Sequence, residues 1–381
     1  MDFRLTSEQD LLRRTVRQFA EAEIAPFVRE WDEAQAFAPA LLGKLAALGL
    51  TGIQVSEALG GAGFNAVDYC ICIEELARVD PSIALSVAAH NGLAVAHLAM
   101  FGNARQQTRY LAPLARGEML GAWALTEAGA GSDAGALRTA ARRDGDAWVL
   151  TGRKQFITHG RVGGLIVVMA VTDASKGSHG ISAFVVERGT PGLSAGRKEH
   201  KLGMRASDTS EVVFDGCRVS DDHRVGPEGE GFVQALRVLD AGRIGIAALA
   251  VGLAQGAYEA AVRYAKERRQ FDRPIASFQA IQWKLADMAT RLEAARLLVY
   301  RAAWMRDADV ARTSFESSVA KLYASEMAVR AAEECVQIHG GYGFVKDYPA
   351  EKFFRDVKLC TIGEGTSEIQ RLVIARHLLG R

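Results

Sequence analysis

Four short segments carry residue types that could do chemistry. Glu364 stands between glycines in the run 363–370, Gly-Glu-Gly-Thr-Ser-Glu-Ile-Gln, where the last helical pattern opens. A carboxylate there admits two readings that pull its pKa in opposite directions. As a first-turn acid it complements the helix dipole, which lowers the pKa. As a general base, with small neighbours leaving room for substrate, it needs a dry cleft that raises the pKa towards neutrality. The second segment, 126–135, is Thr-Glu-Ala-Gly-Ala-Gly-Ser-Asp-Ala-Gly after a strand expected at 122–125. Its glycines nearly match the dinucleotide fingerprint, but the third falls one position late, and residues 137–150 read as a hairpin instead of a crossover helix. That leaves an ordinary turn, or a loop whose N–H groups and hydroxyls approach a phosphate. The third, Gln337-Ile338-His339-Gly340-Gly341, reads as a helix C-cap or as a place where a ligand nears the backbone. The fourth, Glu267-Arg268-Arg269-Gln270-Phe271 with Gln279 beyond, reads as a solvated helix end. Alternatively, Arg268 pairs with phosphate and Phe271 stacks on a flat ring.

These residues need a scaffold, and 381 residues supply two or three domains at roughly 150 residues each. Hydrophobic residues make up 49% and charged residues 24%, which excludes a disordered chain. A formal charge of +1 argues against a general polyanion binder, so no nucleic-acid partner is expected. The longest apolar run, Leu165–Val171, is too short to span a bilayer, and residues 1–4 lead directly into a polar helical pattern. The expectation is a cytoplasmic enzyme with no membrane insertion. Cys70, Cys72, Cys217, Cys335 and Cys360 are odd in number and irregularly spaced, so neither a disulfide framework nor a metal site is expected.

The texture runs α, then β, then α. Thr6 and Gln9 have capping-box spacing ahead of helical repeats, and further helices are expected over about 39–48, 67–79 and 105–115, with loop signals at 60–63, Asp80-Pro81 and 102–103. From near Gly121 to Gly226, short β-rich runs broken by turn residues argue for a β-barrel or sandwich over a parallel sheet with crossover helices. Long Ala-rich stretches at 232–268, 278–307 and 314–339, with a shorter fourth, suggest a bundle. The fold class is therefore α+β multidomain. An N-terminal all-α domain (1–118) and a central β-domain (119–228) precede a C-terminal four-helix bundle (229–381).

The segments, taken in order, resemble the acyl-CoA dehydrogenase family over essentially the whole chain. The family pattern is a TEPGAGSD-like segment, a [FW]-I-T segment, ER-x-x-F, Q-x-x-GG and EGT. Here these read 126–133, Phe156-Ile157-Thr158, 267–271, 337–341 and 364–366. The resemblance implies FAD bound between subunits of a homotetramer, an acyl-CoA substrate, and an electron-transferring flavoprotein as partner. The segments 198–204, 239–247 and 363–379 are most similar to the short-chain, butyryl-CoA branch.

By that resemblance Glu364 takes the α-proton of the thioester, the β-hydrogen leaves as hydride to flavin N5, and a trans-2-enoyl-CoA results. Trp123, Leu125, Thr126, Gly131 and Ser132 match the segment that meets flavin and pyrophosphate, and Phe156 and Thr158 match the pair covering the isoalloxazine. Arg268, Phe271, Gln279, Gln337, Gly340 and Gly341 match a set contributed by a neighbouring subunit, while Thr366, Ser367 and Glu368 match residues near the adenosine diphosphate. Ser132, Asp240, Arg243 and Gly365 match substrate contacts. Some members carry their base at the position of Gly242, and a glycine there leaves the role to Glu364. The chain departs from the pattern at His159, usually asparagine, at Ala128, usually proline, and at Gly363, commonly aromatic. An acyl-CoA oxidase or desulfinase-like relative on the same scaffold is the alternative. A scaffold protein without chemistry and a nicotinamide enzyme are less consistent with these motifs.

Overall fold

The structure, a computed structural model, describes residues 4–308, 310 and 313–380. Its first helix, α1 (Ser7–Phe19), begins at the expected capping box. The Thr6 hydroxyl accepts from the Gln9 N–H at 3.2 Å, and Gln9 Oε1 accepts from the Thr6 N–H at 3.1 Å. The stretches expected near 39–48 and 67–79 are Ala40–Ala47 and α2 (Ala66–Val79). Asp80-Pro81, a loop signal by sequence, instead opens α3 (Pro81–Ala89). The Asp80 carboxylate accepts from the Ser82 N–H at 3.0 Å, and proline takes a first-turn position where no N–H is needed. Helical structure continues from α3 to Phe101. Pro81–Phe101 is long and apolar enough to cross a membrane, but most of it is buried within the protein, as in an internal core helix.

Eight strands follow: β1 (Gly121–Ala124), β2 (Ala140–Asp144), β3 (Ala147–Thr158), β4 (Leu165–Val171), β5 (Ile181–Glu187), β6 (Leu193–Lys198), β7 (Thr209–Ser220) and β8 (Arg224–Val225). They make one sheet in the order β6-β7-β3-β2-β4-β5-β8, with β1 beside β4. The hairpin expected at 137–150 is the β2–β3 pair. Most pairings are antiparallel. β1–β4 and β2–β4 are parallel, so the sheet is mixed, and none of its parallel pairs is joined by a simple crossover helix. Side-chain alternation gives β4 two buried faces. Leu165, Val167 and Met169 pack with Val95, Leu98 and Val238 from helices, whereas Ile166, Val168 and Ala170 pack with Trp148, Leu150 and Phe214 inside the β layer.

Helices resume as α4 (Gly231–Glu267), α5 (Gln279–Asp307), α6 (Ser314–His339) and α7 (Ser367–Leu379). α4 is central, packing on both α6 and α2. Two glycines permit the α2 approach: a Cβ on Gly252 would fall 2.2 Å from the Glu74 carbonyl, and one on Gly256 2.2 Å from the Arg78 carbonyl. The N-terminal helices and the bundle consequently share one apolar core, joining Val16, Leu41 and Ile73 to Leu249, Ala324 and Ile338.

Candidate active site

Glu364 lies ahead of α7, not in its first turn. Thr366 is the N-cap, accepting from the Ile369 N–H at 3.3 Å, and Ser367 is the first helical residue. The helix therefore separates two carboxylates that lie close in sequence. Glu368 occupies the first turn and has its pKa lowered by its own backbone N–H and by Thr366. Glu364 has its pKa raised to about 7 by burial, against the opposing pull of Lys321 and Arg243. Although the residue as a whole is half-buried, its Oε2 is shut off from solvent and has no hydrogen-bond partner. Of the two readings left open by the sequence, the dry carboxylate is the one observed.

The backbone is bent to place it. Glu364 has φ +53° and Gly365 φ +93°, a left-handed pair that a glycine flank makes accessible. Two buried groups hold the bend. Lys321 of α6 donates from Nζ to the Gly365 carbonyl at 2.7 Å, and Gln370 of α7 donates to the same oxygen at 3.0 Å. Burial lowers the Lys321 pKa to about 8. Neither residue stands out in the sequence, because a lysine in the middle of a helix resembles any solvated one.

Gly242 faces this carboxylate from α4: a Cβ there would stand 2.1 Å from Glu364 Oε2. The two positions at which relatives are expected to carry a base thus converge on one point in space. Beside Gly242, Arg243 pairs with Asp240, whose other oxygen accepts from the Ser314 hydroxyl at 2.5 Å, while Arg243 Nε is buried and unpartnered. The expected substrate contacts Asp240, Arg243 and Gly365 therefore gather around Glu364. Ser132 sits on the exposed 126–135 loop.

That loop and the end of β3 form the second part of the site. The Thr126 carbonyl accepts from the Gln155 N–H at 2.8 Å, and the buried Lys154 donates to the Leu125 carbonyl at 3.0 Å and to Glu127 Oε1 at 2.8 Å. Glu127 in turn accepts from the Arg138 and Thr139 N–H groups, fixing the loop to the start of β2. A register shift between Lys154 and Ile157 leaves Phe156 at φ +58° and 61% exposed, beside Thr158. Trp123 lies buried behind, donating from Nε1 to His97 Nδ1 at 3.2 Å, and the His97 ring reaches Gln234 Oε1 at 3.1 Å. β1 is held at its start by two histidines. The Gly121 N–H donates to His90 Nδ1, and the Gly121 carbonyl accepts from His159 Nδ1, each at 2.9 Å. His159 is thus a buried structural group at φ +61°. A Cβ on Gly129 or Gly131 would meet nothing within 4 Å, and the hydroxyls of Thr126, Ser132 and Thr158 make no hydrogen bond with the described residues. An exposed aromatic face, open backbone and free hydroxyls suit the edge of a flavin and its phosphates.

The third group has its own set of contacts. Arg268 ends α4 with its guanidinium 5.6 Å from the Tyr342 ring, and Gly340 caps α6 at φ +58°. Phe271 is 86% exposed, and Gln279, Gln337, Gly340 and Gly341 are also accessible to solvent. Among the described residues no hydrogen bond, ion pair or ring contact ties this group to the 123–158 set.

Residues 6–118, 122–217 and 229–379 match, in order, the families described as acyl-CoA dehydrogenase N-terminal, middle and C-terminal domains. The chain belongs to the acyl-CoA dehydrogenase family. Its enzymes are FAD-dependent oxidoreductases. The short-chain specific acyl-CoA dehydrogenase of Clostridium acetobutylicum is 45% identical over 98% of this chain and 99% of its own. The solved butyryl-CoA dehydrogenase of Megasphaera elsdenii is 41% identical, with TM-score 0.97 over all of both chains. A chain from a structural study of the electron transferring flavoprotein of Acidaminococcus fermentans is 44% identical, with TM-score 0.98 and full coverage of both.

Proposed function

We propose that this acyl-CoA dehydrogenase oxidises a short-chain acyl-CoA between its α and β carbons, with Glu364 as the α-proton base. The observation that carries this reading is the solvent-excluded, unpartnered Oε2 of Glu364, raised to about 7 and facing a side-chain-free notch at Gly242. A thioester α-proton is a very weak acid. The base must be desolvated, and the enolate must be met by donors at its carbonyl oxygen. In this reading Glu364 supplies the first from Oε2 and the second from its own backbone N–H. Lys321 and Gln370 keep the loop from relaxing, and Arg243 and Asp240 line the approach to it.

Bound FAD would supply the acceptor for the β-hydrogen, which would leave as hydride. Thr126, Ser132, Phe156 and Thr158 would hold its ring and pyrophosphate from this chain, and Thr366, Ser367 and Glu368 would lie near its adenosine diphosphate. Arg268, Phe271, Gln279, Gln337, Gly340 and Gly341 would serve a neighbouring copy's cofactor in a homotetramer. The lack of any hydrogen bond, ion pair or ring contact linking them to the first cluster among the described residues supports that assignment. Likeness to the short-chain and butyryl-CoA enzymes supports the acyl length, and likeness to the chain from the flavoprotein study supports an electron-transferring flavoprotein as acceptor.

The test is Glu364→Gln. The variant keeps FAD and binds butyryl-CoA, but anaerobic bleaching of the flavin by butyryl-CoA is nearly abolished. Substantial turnover in a fully loaded variant would refute the role.

A further inference from the structure

Resting on the proposed function, we infer that Tyr69 is the end wall of the acyl site and restricts it to a four-carbon chain. Three glycines from two elements meet at one place. Gly242 and Gly245 lie one turn apart on α4, and Gly92 lies in the helical stretch that continues α3. A Cβ on Gly245 would stand 2.5 Å from the Tyr69 hydroxyl oxygen and 3.1 Å from its ring edge. A Cβ on Gly92 would stand 3.2 Å from the same oxygen and 3.8 Å from Gly242 Cα. A Cβ on Gly242 would stand 2.1 Å from Glu364 Oε2. The unpartnered base and the phenol thus rest on one side-chain-free strip, a helical turn apart. Tyr69 itself is 3% exposed, rooted in α2, and its hydroxyl has a single long bond of 3.4 Å to the Ala88 carbonyl.

The spacing limits what fits between them. Adjacent-turn Cβ positions are about 5–6 Å apart, which bounds the Oε2-to-phenol separation at roughly 10 Å. The reacting α-carbon must come within about 3–3.5 Å of the base. A terminal methyl must stop about 3.5–4 Å from the phenol oxygen. The remaining length accommodates about two carbons beyond the α-carbon, as in butyryl. A longer chain would have to displace a buried ring wedged between two helices.

The experiment measures anaerobic flavin reduction by butyryl-, hexanoyl- and octanoyl-CoA in wild type, Tyr69→Ala and Tyr69→Leu, all loaded with FAD. In wild type, kcat/KM falls steeply beyond butyryl. In Tyr69→Ala the octanoyl-to-butyryl ratio rises at least tenfold, the scale expected for methylenes newly admitted to an apolar site. Tyr69→Leu, which refills the α2 core, raises the hexanoyl ratio in the same direction and answers the question if the alanine variant does not fold. Ratios within twofold of wild type in a folded variant overturn the inference, as does a wild type that accepts octanoyl-CoA as well as butyryl-CoA. Failure of wild type to be reduced by any acyl-CoA would instead overturn the proposed function.

Discussion

At the scale of single residues, the proposed reaction depends on keeping the Glu364 carboxylate basic. Glu364 has a pKa of about 7 in the fold against 4.5 for an ordinary glutamate, because burial penalises its charge. Only the deprotonated form can accept the α-proton, so kcat is expected to rise with pH through about 7, read from the acid limb of a pH–rate profile. The same shift bears on stability. The folded state binds this proton more tightly than the unfolded chain, so its contribution is full below pH 4.5 and lost as pH rises through 7. The loss is on the order of 3 kcal/mol. Glu364→Gln is therefore expected to melt higher than wild type at pH 8 but not at pH 4.5, in thermal scans at both values. Lys321 acts on the same group, and Lys321→Met removes a cation that lowers the Glu364 pKa. The acid limb should move upward in pH while FAD content stays constant. An unmoved limb would mean that Lys321 serves only to hold the Gly365 carbonyl.

At the scale of elements, the site depends on junctions more than on individual helices. The chain between α6 and α7 contains a short helix, Ala350–Asp356, tied to the start of α3 by buried charges. Lys352 Nζ donates to Asp80 at 2.8 Å and to Asp356 at 2.5 Å, and Asp356 also accepts from the Met204 N–H at 2.5 Å. Three segments far apart in sequence therefore meet in one buried ion-pair cluster, in which both carboxylates favour the protonated form of Lys352. Lys352→Met leaves two buried carboxylates facing each other. It should cost about 3–5 kcal/mol in urea unfolding at neutral pH, and less under acid conditions where Asp356, whose pKa burial raises, protonates. Asp80 is also the N-cap of α3, so the dipeptide that looks like a chain break in sequence is a structural hub. Cap and proline chemistry open helices and turns with the same residues, and only the burial of residues 82–89 against the rest of the chain separates the two outcomes here.

At the scale of the whole molecule, the proposed cofactor residues fall into two groups that share no hydrogen bond, ion pair or ring contact among the described residues. Phe271, among the most exposed large apolar side chains, and Arg268 lie on one; Phe156 and the 126–135 loop form the other. If a second copy completes the site, dilution and subunit dissociation should release FAD. Arg268→Ala should then weaken FAD retention by removing a cation facing phosphate. Flavin-to-protein absorbance after gel filtration at falling protein concentration checks both, and unchanged occupancy would argue against this contact. The shared core of the N-terminal helices and the bundle is a second property of the whole. It sets α2 and its Tyr69 against α4, which no local pattern records.

The α–β–α order, the Thr6 capping box, the β2–β3 hairpin and the five motif segments were all legible in the sequence, because periodicity, turn chemistry and caps act over a few residues. The candidate base was legible too, but its state was not. A first-turn acid and a desolvated base share the same letters, and only packing decides that Glu368 meets the α7 dipole while Glu364 meets Gly242. Lys321, Gln370, Lys154 and Tyr69 were silent for a related reason. Each owes its role to the tertiary packing around it, and a buried lysine or tyrosine differs from a solvated one only in how the rest of the chain folds against it.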